Sequence, residues 1–146
     1  MCIRDRVYAF HMPKAHTDGD AIIHFRKSNV IHMGDIFFNG FYPFIDTSSG
    51  GSPEGVVAAA DRVLAMADDA TRIIPGHGPV SNKAELKIYR DMVATVSARV
   101  KKLAQEGKKL DEIIAAKPSA EYDERWGKGF IPTGRFIEML MSAWAK

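Results

Sequence analysis

Apolar positions fall first in short runs and later at helical spacing. Val7–Met12 is a run that stops at Pro13 and reads as a strand. Ala21–Phe25 and Asn29–Met33 are two more, joined by the polar turn Arg26-Lys27-Ser28, and together they predict an antiparallel hairpin. Phe37–Pro43 is aromatic and interrupted by Gly40, so a packed loop is expected there rather than a paired strand. Ser48-Ser49-Gly50-Gly51-Ser52 reads as a flexible turn entering a helix, with Ser52 as N-cap, Pro53 in first position and Glu54 in the first turn. Val56, Val57, Ala60, Val63, Leu64 and Ala67 form one stripe of that helix, which Asp68-Asp69 closes.

Thr71–Ile74 is a β-branched strand feeding the turn Pro75–Pro79. A long helix opens at Asn82, with Glu85 three residues on in the manner of a capping box, and Gly107 ends it. Its buried face is marked by Leu86, Tyr89, Met92, Val93, Val96, Val100 and Leu103. Leu110–Ala116 is a short helix stopped by Lys117-Pro118, and a last helix from Thr133 buries Phe136, Ile137, Leu140, Met141 and Trp144. Strands alternating with helices predict an α/β protein with a thin sheet of three or four strands, one open face and an unpaired edge. No repeat, low-complexity tract or linker divides the chain, so its 146 residues read as a single partial domain.

Acids and bases are interleaved at a net charge of +2, and no basic block points to nucleic acid. The longest uncharged stretch is broken by Asp46 and holds Gly, Pro and Ser, so no membrane span is expected. The single cysteine, Cys2, excludes an intrachain disulfide framework and a cysteine-rich zinc site. Met1–Arg6 lacks the apolar core of a secretory signal. Those six residues resemble translated adapter read-through, so the natural chain is expected to continue upstream of Val7. A soluble protein is expected, with periplasm and cytoplasm both open and the oligomeric state unread.

Three residues carry the chemistry: His16 in His16-Thr17-Asp18-Gly19-Asp20, Asp35 in Met33-Gly34-Asp35, and His77 in Pro75-Gly76-His77-Gly78-Pro79. Each is expected in a turn just after a strand, where a rigid sheet usually carries its chemistry. Two imidazoles and a carboxylate suit zinc or another borderline divalent ion, and Asp35 has one oxygen for each of two ions. Asp18 and Asp20 are placed to orient the His16 ring. Taken singly, each of the three is better explained by an ordinary surface turn; taken together and in order, they favour a metal. His11, His24 and His32 fall inside strands and read as structural. Phe37, Phe38, Phe41, Tyr42, Phe44 and Ile45 are core candidates, some of which wall a pocket beside Asp35.

Ala15-His16-Thr17-Asp18-Gly19-Asp20, Gly34-Asp35 and Pro75-Gly76-His77-Gly78-Pro79 resemble the later metal motifs of the metallo-β-lactamase-fold hydrolases. Phe37-Phe38-Asn39-Gly40, Tyr42-Pro43-Phe44-Ile45-Asp46 and Trp126-Gly127-Lys128-Gly129-Phe130 are similar to one subgroup of that superfamily. The resemblance runs from about Val7 to the C-terminus. It implies the C-terminal half of an αβ/βα sandwich, two mixed sheets flanked by helices. It matches His16 to the third histidine of the first metal site, Asp35 to the bridging carboxylate and His77 to the last histidine of the second. The family's His-x-His-x-Asp-His motif, with its proton-handling aspartate, is absent from this sequence. The implied activity is metal-assisted hydrolysis of a small ester, thioester, lactone or lactam-like substrate, with up to two zinc ions, or iron or manganese in their place. Two alternatives stand beside it: a di-iron oxidoreductase of the same fold, and a non-catalytic truncated fragment.

Overall fold

β-Branched and aromatic runs gain most by pairing into a pleated surface with one side covered. In the computed structural model, which describes residues 7–144, they form one four-stranded sheet in the order β1 (Val7–Met12), β2 (Asp20–Phe25), β3 (Val30–Phe38), β4 (Arg72–His77). The pairs β1/β2 and β2/β3 are antiparallel and β3/β4 is parallel, so the sheet is mixed and β1, β3 and β4 run in the same direction. The helices are α1 (Pro53–Met66), α2 (Lys83–Gln105), α3 (Leu110–Ala115), α4 (Ala120–Trp126) and α5 (Thr133–Ser142). The α/β organisation expected from the sequence is therefore present. Among the described residues no helix is long and apolar enough to cross a membrane.

α1 and α2 pack on β3, α2 also touches β4, and α5 lies against α2 and α3. This layer covers one face of the sheet. Phe10, Ile22, Ile31 and Ile73 lie on it and are buried. The row Ala9–Ile23–His32–Ile74, paired strand to strand across the other face, stays exposed or half-buried. The helix signals hold where they are local: the Ser52 hydroxyl accepts the Gly55 N–H at 3.0 Å and Pro53 occupies the first turn of α1.

Four expectations are corrected. β3 does not stop at Met33; it continues through Gly34 to Phe38 and so takes in Asp35 and the first residues of the expected Phe37–Pro43 loop. β4 likewise continues to His77. Each of the two strands has the other as its parallel partner, and this pairing carries them past Gly34 and Gly76. The Ser48–Ser52 segment is braced rather than flexible, because the Asp46 carboxylate accepts from the N–H and hydroxyl groups of Ser48 and Ser49. Those bonds hold the Asp46 carboxyl down at about 2. The capping box at α2 is only half formed: Asn82 accepts the Glu85 N–H at 2.9 Å, while the Glu85 carboxylate turns to Ser81 and Asn39. α4 has no counterpart in the sequence reading, and the reading of Met1–Arg6 lies outside the described residues.

Candidate functional site

Because β1, β3 and β4 share a direction, their C-terminal ends lie along one rim, the side of such a sheet where ligands usually bind. His16 follows β1, Asp35 stands in the last part of β3, and His77 ends β4. All three chemically suggestive residues therefore reach the same rim. Asp35 and His77 stand inside strand ends rather than in the turns expected of them.

The His16 loop is clasped by the segment before α1. The His16 carbonyl accepts the Asp46 N–H at 2.9 Å, Asp18 donates to the Ser49 carbonyl at 3.0 Å, and Ala15 is fully buried between them. Within that clasp the His16 Nδ1 lies 2.6 Å from the Phe44 carbonyl oxygen. A carbonyl only accepts, so Nδ1 is the donor and carries hydrogen. The orienting partner is thus a backbone oxygen and not Asp18 or Asp20, which accept from the Lys14 N–H and from Thr17.

Asp35 owes its position to a break in the ladder. Gly34 pairs with Pro75 and Phe38 with His77, so β3 spends more residues than β4 over the same length and bulges between them. Gly34 starts the bulge with φ +56°, a conformation that other residues rarely adopt. The Asp35 carboxylate lies against Gly76, where any Cβ would overlap its Oδ1 and the Gly34 backbone. This close approach sets Asp35 Oδ1 3.3 Å from His77 Nε2 and Oδ2 3.8 Å from His16 Nε2. The carboxylate stands between two imidazoles, one oxygen toward each.

His77 is held by its neighbours' backbone. The Asn39 N–H donates to the His77 carbonyl at 2.9 Å, and the Asn39 amide group donates to the Pro79 carbonyl and to Glu85. The His77 ring stacks on Phe38 at 4.8 Å between centroids, and Phe130 meets it edge-on at 5.2 Å. Phe44 lies 5.8 Å from the His16 ring. Of the side chains read as core or pocket wall, Phe37, Phe38, Tyr42 and Ile45 are buried, while Phe41 and Phe44 are only partly so. The other histidines stay apart from the trio in their contacts: His11 bonds the Asp18 carbonyl, His32 accepts the Gly34 N–H, and burial, helped by Arg26, lowers the pKa of His24.

Among the described residues no group of three or more His, Cys, Asp and Glu side chains closes around one point as a metal ion would require. The geometry is two open pairs sharing Asp35. A cavity of about 310 Å³ between Phe44–Ser48 and α5 contains none of the three residues and touches their surroundings only through Phe44.

No family model matches the sequence, and no curated protein does. Solved structures do. A double mutant of the sec-alkyl sulfatase PisA1 superposes with a TM-score of 0.71 at 18% identity, over 95% of this chain and 24% of its own. The DIM-1 metallo-β-lactamase superposes at 0.54 with 19% identity, over 65% of this chain and 44% of its own. This chain has the fold of part of a metallo-β-lactamase-type domain. A third structure, TTHA1623 in a di-iron-bound form, aligns with 25% identity and a TM-score of 0.47 over 55% of this chain. The metallo-β-lactamase-fold chain spans less than half the length of the proteins it matches.

Sequence reasoning did not find the Phe44 carbonyl, Asn39 or Glu85, which hold the two imidazoles in place. A backbone oxygen leaves no signature in side-chain identity, and Glu85 was already explained as a cap.

Proposed function

We propose that this chain supplies His16, Asp35 and His77 to a two-metal hydrolytic centre, with Asp35 bridging the ions and one histidine on each. The observation that carries this reading is the His16–Asp35–His77 spacing. With Nδ1 committed to Phe44, the His16 ring turns its Nε2 toward a carboxylate oxygen of Asp35. At 3.8 Å the two atoms are too far apart for a hydrogen bond, which leaves both open to a shared cation. Two ligands about 2.0 Å from one tetrahedral zinc lie roughly 3.3 Å apart, which is the separation His77 Nε2 and Asp35 Oδ1 already have.

The donors fit a borderline divalent ion in kind, zinc first and then iron or manganese. They fall short in number, so the reading requires further ligands from outside this trio. A bound divalent ion supplies a Lewis acid and brings the pKa of its water down to about 7. The chain's own part is to hold and orient. Phe44 fixes the His16 tautomer, the Asn39 contacts fix the His77 backbone, and Phe38 and Phe130 flank the His77 ring, one stacked and one edge-on. The substrate class this supports is a small ester, thioester, lactone or lactam-like compound.

Zinc titrated into the 146-residue chain, followed by calorimetry and by histidine NMR, tests the assignment. The side-chain signals of His16 and His77 are expected to shift together. Asp35→Asn is expected to weaken uptake by about tenfold or more, since it removes the charge shared by both pairs. Shifts confined to His11, His24 or His32, or unchanged uptake in D35N, would overturn the reading.

A further inference from the structure

Phe130 is the most exposed phenylalanine among the described residues. It is 56% exposed, yet its ring touches three others at the rim: His77 at 5.2 Å, Phe38 at 5.7 Å and Phe41 at 6.0 Å. Most of the chain's other phenylalanines are wholly or largely buried. A ring left in water forgoes its hydrophobic gain, and a cluster of aromatic rings with convergent polar groups is the lining a ligand site uses.

The ring is also held there. Residues 127–132 join α4 to α5, and both flanks are tied to one carboxylate. Asp123 Oδ1 accepts the hydroxyls of Ser119 at 2.9 Å before the loop and Thr133 at 3.0 Å after it. It also accepts the Tyr42 hydroxyl at 2.7 Å, while the Tyr42 N–H donates to the Trp126 carbonyl at 3.0 Å. Gly129 rests against the Phe41 ring. The loop is therefore braced from both ends onto the 41–44 segment; its Ile131 turns into the core, while its one aromatic ring, Phe130, is left exposed beside His77.

We infer that Phe130 is a specificity-determining residue, the wall for an aryl or branched-alkyl group on the substrate, seated against its ring next to His77. This rests on the hydrolytic reading of the trio. The wall presented by Phe130, backed by the partly buried Phe41 and the buried Phe38, offers no hydrogen-bond donor, so it selects for an apolar substituent and not for a second charged group. Asp123 acts as a positioning residue for that wall.

The test uses phenylacetamide and acetamide, which differ by one phenyl ring, titrated into the metal-free chain while the Phe130 and His77 side-chain NMR signals are followed. Phenylacetamide is expected to shift both signals to saturation, and acetamide at the same concentrations to leave them in place. Phe130→Ala is expected to weaken phenylacetamide binding about fivefold, the scale of one aromatic contact, and Phe130→Tyr to restore it. Equal responses to the two amides, or F130A binding phenylacetamide as tightly as wild type, would overturn the inference. Because no metal is present, failure of zinc uptake leaves this result standing, and failure here leaves the metal assignment standing.

Discussion

The same two strands, β3 and β4, behave differently at their two ends. At the hairpin end the register is unbroken, Val30 with Arg72, Ile31 with Ile73, His32 with Ile74. Asn29 there is also tied down: at φ 52° it donates to Asp68 and accepts from Thr71, and its carbonyl takes the Arg72 N–H. At the other end the register slips twice, Gly34 takes a left-handed turn, and Asp35 and His77 are left exposed beside each other. Regular pairing supplies stability. Broken pairing spends some of it to bring two polar side chains together, as functional sites commonly do.

The largest expected effect is at the regular end. Ile31 is fully buried between β2 and β4, so Ile31→Ala is expected to cost about 2–5 kcal/mol in urea unfolding. The His16 and His77 NMR signals of the folded variant are expected to stay where they are. Next is Gly76→Ala at the broken end, where a Cβ collides with Asp35 Oδ1 and the Gly34 backbone. It is expected to cost about 1–3 kcal/mol and, unlike I31A, to move the His77 signals as Asp35 is displaced. If I31A moved the histidines, or G76A left them alone, the two ends would not be separable.

The smallest effect is a pH dependence of the broken end. Burial pushes the Tyr42 phenol up, and the Asp123 carboxylate that accepts its hydrogen adds to this; burial also raises Tyr89, which donates to the Ile36 carbonyl. Both groups keep their protons in the folded chain beyond the ordinary value of 10.0. Their stabilisation is complete below that pH and is lost as pH rises toward the raised folded values. The urea midpoint is therefore expected to fall above pH 10, less steeply in Tyr42→Phe, and a flat midpoint there would count against the Tyr42–Asp123 contact.

Much of this was legible in the residues where the cause is local. The Ser52 cap, the stripe Val56–Val63 and the Arg26-Lys27-Ser28 turn each act over a few positions, and each is found as read. The three rim residues were nameable because Gly and Pro mark the places where a chain must turn or be approached closely. What was not legible depends on partners distant in sequence. β3 passes Gly34 because β4 runs alongside, and His16 is oriented by a carbonyl 28 residues away. α4 is a short run, AEYDERW, held by Ser119–Asp123 and by the buried Trp126, and its composition shows no helical stripe.

The sheet face away from the helices has a consequence for handling the protein. Ala9, Ile23, His32 and Ile74 form a wet, largely aliphatic strip, widened by Val7 and Phe25 at 41% and 37% exposure. Sulfate and phosphate salts raise the free energy of such hydrated hydrocarbon by being excluded from it. Ammonium sulfate will therefore drive molecules together along this strip first, and small amounts of a mild detergent that coats it will raise the salt needed for precipitation.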